Sequence, residues 1–183
     1  QPTVMHNIDA LAQVRRAVDT PILSHESSWT IYGALEVIKK GAADAIQLDP
    51  RFDLSFKSSR YLAAMAEAAG ISVVMHSYGD TGIATAASMQ VIASAPNFIH
   101  ANQITNHYLK DDIIKERLRL KGRFIELNEK EGLGIELDEE RVRKYNQLYE
   151  EKYKGKIDLE PKSSKEFLKG EEEEDWIPRA SSN

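Results

Sequence analysis

Four side chains suited to acid–base or metal chemistry recur at a nearly constant interval: Glu26, Asp49, His76 and Asn102, separated by 23, 27 and 26 residues. Two carboxylates, an imidazole and an amide meeting at one place would make a metal-assisted acid–base site. Such a set can combine a ligand for a hard cation with a proton-transfer group. Each residue also has a plain structural use. Glu26 suits the first turn of a helix, Asp49 before Pro50 suits a turn, a histidine at a strand end serves as an ordinary packed residue, and Asn102 also suits a turn. The regular interval sets the four apart, because it calls for a repeating unit that delivers each to the same edge. His25, beside Glu26, and His100, two residues before Asn102, are further candidates for the same pocket. Strand alternation puts His100 on the side of Asn102, slightly below the rim.

The elements that must position these residues alternate between helix and strand. Ile8, Leu11, Val14, Ala17 and Val18 recur at helical spacing and stop at Thr20-Pro21. Pro21 to Ser24 reads as a strand. Ser27 and Ser28 are candidate caps for a helix from about Trp29 to Lys40, with Gly41 past its end. Ala45 to Leu48 is the next strand, Ser58 to Ala69 a helix closed by Gly70, and Ile71 to Met75 a β-branched strand of the kind buried in parallel sheets. A helix over Ile83 to Ala95 and a fourth strand over Phe98 to Ala101 complete the series. Strand and helix at a pitch of about 25 residues indicate right-handed βα units around a parallel sheet, and in that architecture chemistry sits where the strands end.

After Asn106 the pattern changes. A short polar helix is expected near Asp112 to Arg119, a hairpin through Phe124–Leu127 and Gly134–Leu137, and an amphipathic helix from Asp138 to Tyr153. From Lys154 the chain is rich in Lys, Glu and Ser, and Glu171 to Glu174 reads as a solvated run. The expected division is residues 1–106 as a partial barrel, 107–153 as an extension and 154–183 as a loosely ordered tail. Gly79-Asp-Thr-Gly82, before a helix, is a candidate cradle for a distal substrate carboxylate. Trp176 to Arg179 is a segment able to fold over a site or a partner.

Composition narrows the function. The 183 residues carry 29% charged and 42% hydrophobic side chains, a formal net charge of −5 and no cysteine. Thiolate nucleophiles and cysteine-held metals are thereby excluded, leaving oxygen and histidine as metal donors. Scattered Lys and Arg argue against a nucleic-acid surface. No stretch approaches the ~20 apolar residues of a membrane span, so the expected location is the cytoplasm.

The motifs Gln1-Pro-Thr, Pro21-Ile-Leu-Ser-His-Glu26, Gly41-Ala-Ala-Asp-Ala-Ile-Gln-Leu-Asp49, Ala68-Ala-Gly-Ile71, Val73-Val-Met-His76 and Gly132-Leu-Gly-Ile-Glu-Leu-Asp138 follow one another at family spacing. In this the stretch from Gln1 to about Tyr145 closely resembles the C-terminal part of the enolase superfamily, in its mandelate racemase/muconate lactonizing branch and the mandelate-racemase-like subgroup. The resemblance implies an α/β fold, the C-terminal half of a (β/α) TIM-type barrel covering about strands five to eight. It implies removal of the proton α to a carboxylate with Mg²⁺ as cofactor. It places Glu26 on a metal ligand, Asp49 and His76 on a catalytic dyad, and Asn102 where several members carry an acidic group facing the substrate. The amide at Asn102 is a departure, since it donates a hydrogen bond but supplies no acidic proton. The other metal ligands and a lysine base are expected upstream of Gln1.

Two classes of function follow. The first is part of a Mg²⁺-dependent enzyme acting on a small hydroxycarboxylate, an acid-sugar dehydratase in the first place and a racemase, epimerase or cycloisomerase in the second. The other is a catalytically silent half-barrel that works by association. A complete barrel takes about 250 residues, and the chain begins at Gln1 rather than Met. A homo-oligomer, or pairing with the missing barrel half, is therefore expected, because an unpaired sheet edge invites association.

Overall fold

The computed structural model describes residues 1–51 and 55–154. The Lys/Glu/Ser-rich tail, including Glu171 to Asp175 and Trp176 to Arg179, lies outside the described residues. Three short parallel strands form the sheet, in the order β1 (Leu23–Ser24), β2 (Ala45–Leu48) and β3 (Ser72–Met75). Ser24 pairs with Ile46, Ile46 with Val73 and Leu48 with Met75. Helices α1 (Ile8–Ala17), α2 (Ile31–Lys39), α3 (Phe56–Ala68) and α4 (Gly82–Ala93) alternate with the strands. The sheet's alternation sorts its faces. Ile46, Leu48, Val73 and Met75 are fully buried and share one core with Leu11, Val37, Leu62, Ala66 and Val91 of the helices. Gln47 and Val74 point to the other face and are only partly covered.

Local chemistry fixes most helix ends. Asn7 accepts a hydrogen bond from the Ala10 amide (3.0 Å), and Ser55 one from the Ser58 amide (3.2 Å), the side-chain capping that satisfies free helix N–H groups. The expected helix at Trp29 starts later. Glu26–Ser28 form a 3₁₀ turn, and Thr30 caps α2 through the Gly33 amide (3.0 Å). Ser28 is otherwise engaged, its hydroxyl donating to the His25 carbonyl at 2.9 Å. Gly70, at φ +72°, lets the chain leave α3 in the left-handed conformation open to glycine.

Three expected elements differ. Phe98–Ala101 forms no strand. Val73 N–H donates to the Asn97 carbonyl (3.0 Å) and Gln103 N–H to the Met75 carbonyl (3.1 Å). Between these points β3 advances two residues (73 to 75) while the neighbouring segment advances six (97 to 103). The surplus bulges out, leaving Ile99 exposed, and the Asn102 side chain stands in for the missing ladder carbonyl by accepting from Met75 N–H at 2.8 Å.

Asp112–Arg119 is not helical, and 124–127 does not pair with 134–137. The partner of Leu137 is Ile114, antiparallel, with Lys115 N–H donating to the Glu136 carbonyl (2.9 Å) and Asp138 N–H to that of Ile113 (2.9 Å). Phe124 turns back on Lys121 instead. Residues 112–119 have one buried apolar side chain, Ile114, and a single apolar anchor carries no helical period. The last helix forms close to expectation as α5 (Glu139–Leu148), capped by Asp138 through the amides of Glu140 and Arg141 and continued by a π-helical turn over Tyr149–Tyr153.

Candidate active site

The residues that follow the strands meet at one edge of the sheet. Asp49 follows β2 directly and His76 follows β3, and the His76 amide continues the ladder by donating to the Leu48 carbonyl at 2.8 Å. The fully buried Asp49 carboxylate holds the His76 Nδ1 at 2.8 Å from its Oδ2. A carboxylate only accepts, so this contact puts the imidazole proton on Nδ1 and leaves the lone pair on Nε2. His76 keeps 17% of its side chain exposed, giving the imidazole a path to a ligand.

Arg51 completes the surroundings of Asp49. Its Nε and amide both donate to Oδ1, at 2.9 and 3.0 Å, and Nη2 donates to Oδ2 at 2.5 Å. Burial pushes Asp49 upward, but hydrogen bonds from Arg51 and His76 outweigh it and hold the carboxyl below its usual range. Nη1 of the same guanidinium reaches the Tyr78 carbonyl at 2.9 Å and the carboxylate of Asp80. Sequence reasoning missed Arg51 and Asp80. The signal for Arg51 was Asp49-Pro50-Arg51 itself, an Asp poised to accept from the amide two residues on.

His25 and Glu26 come from the 3₁₀ turn after β1. The Gln1 side chain holds this turn, its Oε1 accepting from the amides of His25 (3.3 Å) and Ser27 (3.0 Å). The His25 ring lies 4.4 Å from that of His76 and edge-on to Trp29 at 5.5 Å. Burial, then the proximity of His76, lowers the His25 pKa. Its Nε2 is sealed from solvent without a hydrogen-bond partner, so in this structure His25 backs His76 instead of presenting that nitrogen to a ligand. Glu26 is 39% exposed, with one side-chain contact at 3.7 Å to His25 Nδ1, so its oxygens are open to a cation. Among the described residues no three acidic or histidine side chains cluster to hold a metal. The donor set therefore fits one ligand of a Mg²⁺ site, which needs several oxygens against its hydration shell.

The other expected site residues are placed differently. Asn102 is committed to Met75 N–H and donates to the His100 carbonyl at 3.3 Å. His100 bonds the Ser72 hydroxyl at 3.0 Å, at the far end of β3, about 10 Å of strand from the edge that carries His76. The bulge that replaces the fourth strand removes the alternation on which its placement rested. The cradle at Gly79–Gly82 is filled from within. The Asp112 carboxylate, 2% exposed, accepts from Gly82 N–H through both oxygens, at 2.9 and 3.0 Å.

Parallel βα units with an Asp–His pair where two adjacent strands end define a portion of a (β/α) barrel with acid–base equipment. Residues 1–141 match the family described as enolase C-terminal domain-like. The chain belongs to the enolase superfamily, in its mandelate racemase/muconate lactonizing enzyme family. A chloromuconate cycloisomerase of Cupriavidus pinatubonensis is 32% identical over 146 residues, 79% of this chain and 39% of that protein. A Streptomyces coelicolor protein described as a probable glucarate dehydratase is 29% identical over 133 residues, 73% of this chain and 31% of that one. The crystal structure of an N-succinyl Arg/Lys racemase from Bacillus cereus superposes with a TM-score of 0.74 at 29% identity, covering 79% of this chain and 38% of that one. The chain thus spans about two fifths or less of the length of these relatives. No helix among the described residues is long and apolar enough to cross a membrane.

Proposed function

We propose that the protein to which this chain contributes removes the proton α to the carboxylate of a small hydroxycarboxylate, with His76 as base and Asp49 as its orienting partner. The observation that carries the reading is the 2.8 Å contact between His76 Nδ1 and Asp49 Oδ2. It leaves Nε2 as the proton acceptor, and it offsets the positive charge of the imidazolium once the proton has moved. Glu26, with its carboxylate partly exposed, would serve as one ligand of a Mg²⁺ ion. That cation supplies positive charge where a second negative charge develops on the substrate carboxylate.

For the outcome of the reaction we favour dehydration of an acid sugar: the protonated His76 is then placed to return its proton to a departing β-hydroxyl, so one residue serves both steps. Isomerisation is the second reading, supported by the cycloisomerase and racemase among the relatives. The test is exchange of the α-proton with deuterated solvent in the complete protein with Mg²⁺, across a panel of aldonic and aldaric acids. The parent exchanges, and His76→Ala or Asp49→Asn abolishes the exchange. Exchange retained in either variant overturns the assignment. A 2-keto-3-deoxy product marks dehydration, and exchange with no loss of water marks isomerisation.

A further inference from the structure

The dyad does not stand alone. Asp49 and Asp80 are both buried, with 0% and 2% of their side chains exposed, and both bind the guanidinium of Arg51. Asp80 belongs to the loop after β3 and is anchored there by its own amide, which donates to the Thr105 hydroxyl at 3.3 Å. Arg51 Nη2 also lies 3.4 Å from His76 Nδ1. Two neutral hydrogen-bonding groups would fasten these loops without burying two carboxylates, a costly arrangement even with the one-third-exposed Arg51 between them. The charges therefore call for a role beyond fastening. With Asp49 alone, Arg51 would cancel the carboxylate that His76 needs when it takes up a proton. With Asp80 present, two negative charges face one positive charge, and the cluster becomes neutral when His76 is protonated.

We propose that Asp80 and Arg51 are positioning residues for proton transfer: Arg51 fixes the Asp49 carboxylate toward His76, and Asp80 offsets the charge of Arg51 so that Asp49 remains available to the imidazolium. The other titratable groups on this side are His25, against the His76 ring, and Glu26 behind it. The proposal rests on His76 being the base, and its test is built to fail separately from that reading.

In the complete protein at fixed Mg²⁺, labelled histidine lets the titration of the His76 imidazole be followed by NMR in Asp80→Asn, Arg51→Gln and Arg51→Lys. Loss of the anion makes the imidazole give up its proton more readily, so the Asp80→Asn midpoint moves to lower pH. Loss of the cation moves the Arg51→Gln midpoint to higher pH. The Arg51→Gln displacement is on the order of one pH unit, as for a charge a few ångströms away, and the Asp80→Asn displacement, acting through Arg51, is smaller. Arg51→Lys keeps the charge and stays near the parent midpoint, but loses the two-pronged hold on Asp49 and slows α-proton exchange at saturating substrate without raising KM. Midpoints that move in the same direction, or not at all, overturn the proposal. The near-isosteric Asp80→Asn decides it alone if Arg51→Gln does not fold. Opposite displacements with no exchange in the parent uphold the charge relay and refute the α-proton reading instead.

Discussion

The carboxylate of Asp112 fills the helix N-terminus that the sequence offers to an external anion, and its contribution can be read from its contacts. Its Oδ1 accepts from the amides of Gly82 (2.9 Å) and Ile113 (2.8 Å), and its Oδ2 lies 3.0 Å from the Gly82 nitrogen. Asp112→Ala leaves two amides without this acceptor, at least one of them buried. A buried unmet donor costs about 1–3 kcal/mol, and loss of a negative charge at a helix start adds about 0.3–1 kcal/mol. The expected loss is about 3 kcal/mol. Asp112→Asn keeps an oxygen at the Oδ1 position and both of its hydrogen bonds, so only the charge and the Oδ2 contact are lost, about 1 kcal/mol on the same grounds. Urea unfolding of both variants in the complete protein measures the difference. Sulfate extends the test: it stabilises folded proteins in general, and because the alanine variant vacates the cradle its midpoint rises more with sulfate than that of the parent. Equal effects of Ala and Asn, or an alanine variant no less stable than the parent, would refute the view that Asp112 caps α4.

Further outcomes follow from the same region and from the ion pairs. Ile114 is fully buried against Gly82, and a Cβ on Gly82 would meet the Ile114 side chain and sit 2.8 Å from Asp112 Oδ2. Gly82→Ala therefore lowers stability by about 1–3 kcal/mol, and the smaller side chain of Ile114→Val restores part of it in the double variant, as unfolding midpoints will show. Asp44 is held below its ordinary pKa of 3.8 by hydrogen bonds from the Arg15 side chain and then the Ile22 amide. Its folded pKa is depressed, so its contribution is complete above pH 3.8 and is lost as pH falls through the folded value. Unfolding midpoints of the parent should fall with acidification over that window more steeply than those of Asp44→Asn.

How much of the site was legible depends on how far the ladder runs. The offset between β2 and β3 is 27 residues, as in Ile46 with Val73, and Asp49 and His76 are also 27 apart. They are therefore direct neighbours in register, one step past the last paired residues, and the sequence spacing locates the dyad. The offset between β1 and β2 is 22, as in Ser24 with Ile46, but Glu26 and Asp49 are 23 apart. Continued as a strand, Glu26 would fall opposite Leu48, one step out of phase with Asp49, and period-2 alternation would turn it to the other face. Asn102 meets β3 through its side chain at Met75 and not as a paired strand residue, so its interval of 26 is no strand register. Arg51, Asp80 and Asp112 stayed hidden for another reason. Apart from the local Asp49–Arg51 and Asp112–Ile113 contacts, their partners are charges and amides on other loops, and no periodicity records such contacts.

The out-of-phase position of Glu26 explains the irregular turn after β1. A strand continued through His25 and Glu26 cannot bring the carboxylate to the edge that Asp49 and His76 share; leaving the ladder at Ser24 for a 3₁₀ turn can. The turn needs its freed amides satisfied, and the Gln1 side chain accepts from those of His25 and Ser27, on either side of Glu26. His76 and Asp49 are thus placed by sheet register, whereas Glu26 is placed by one glutamine from outside the sheet. The two halves of the site are for that reason separable. Gln1→Ala should loosen Glu26, weakening the response to Mg²⁺ in α-proton exchange, while leaving the NMR signature of the His76–Asp49 hydrogen bond in place. A Gln1→Ala variant that loses that signature would mean that the turn after β1 also supports the dyad, through the His25 ring packed against His76.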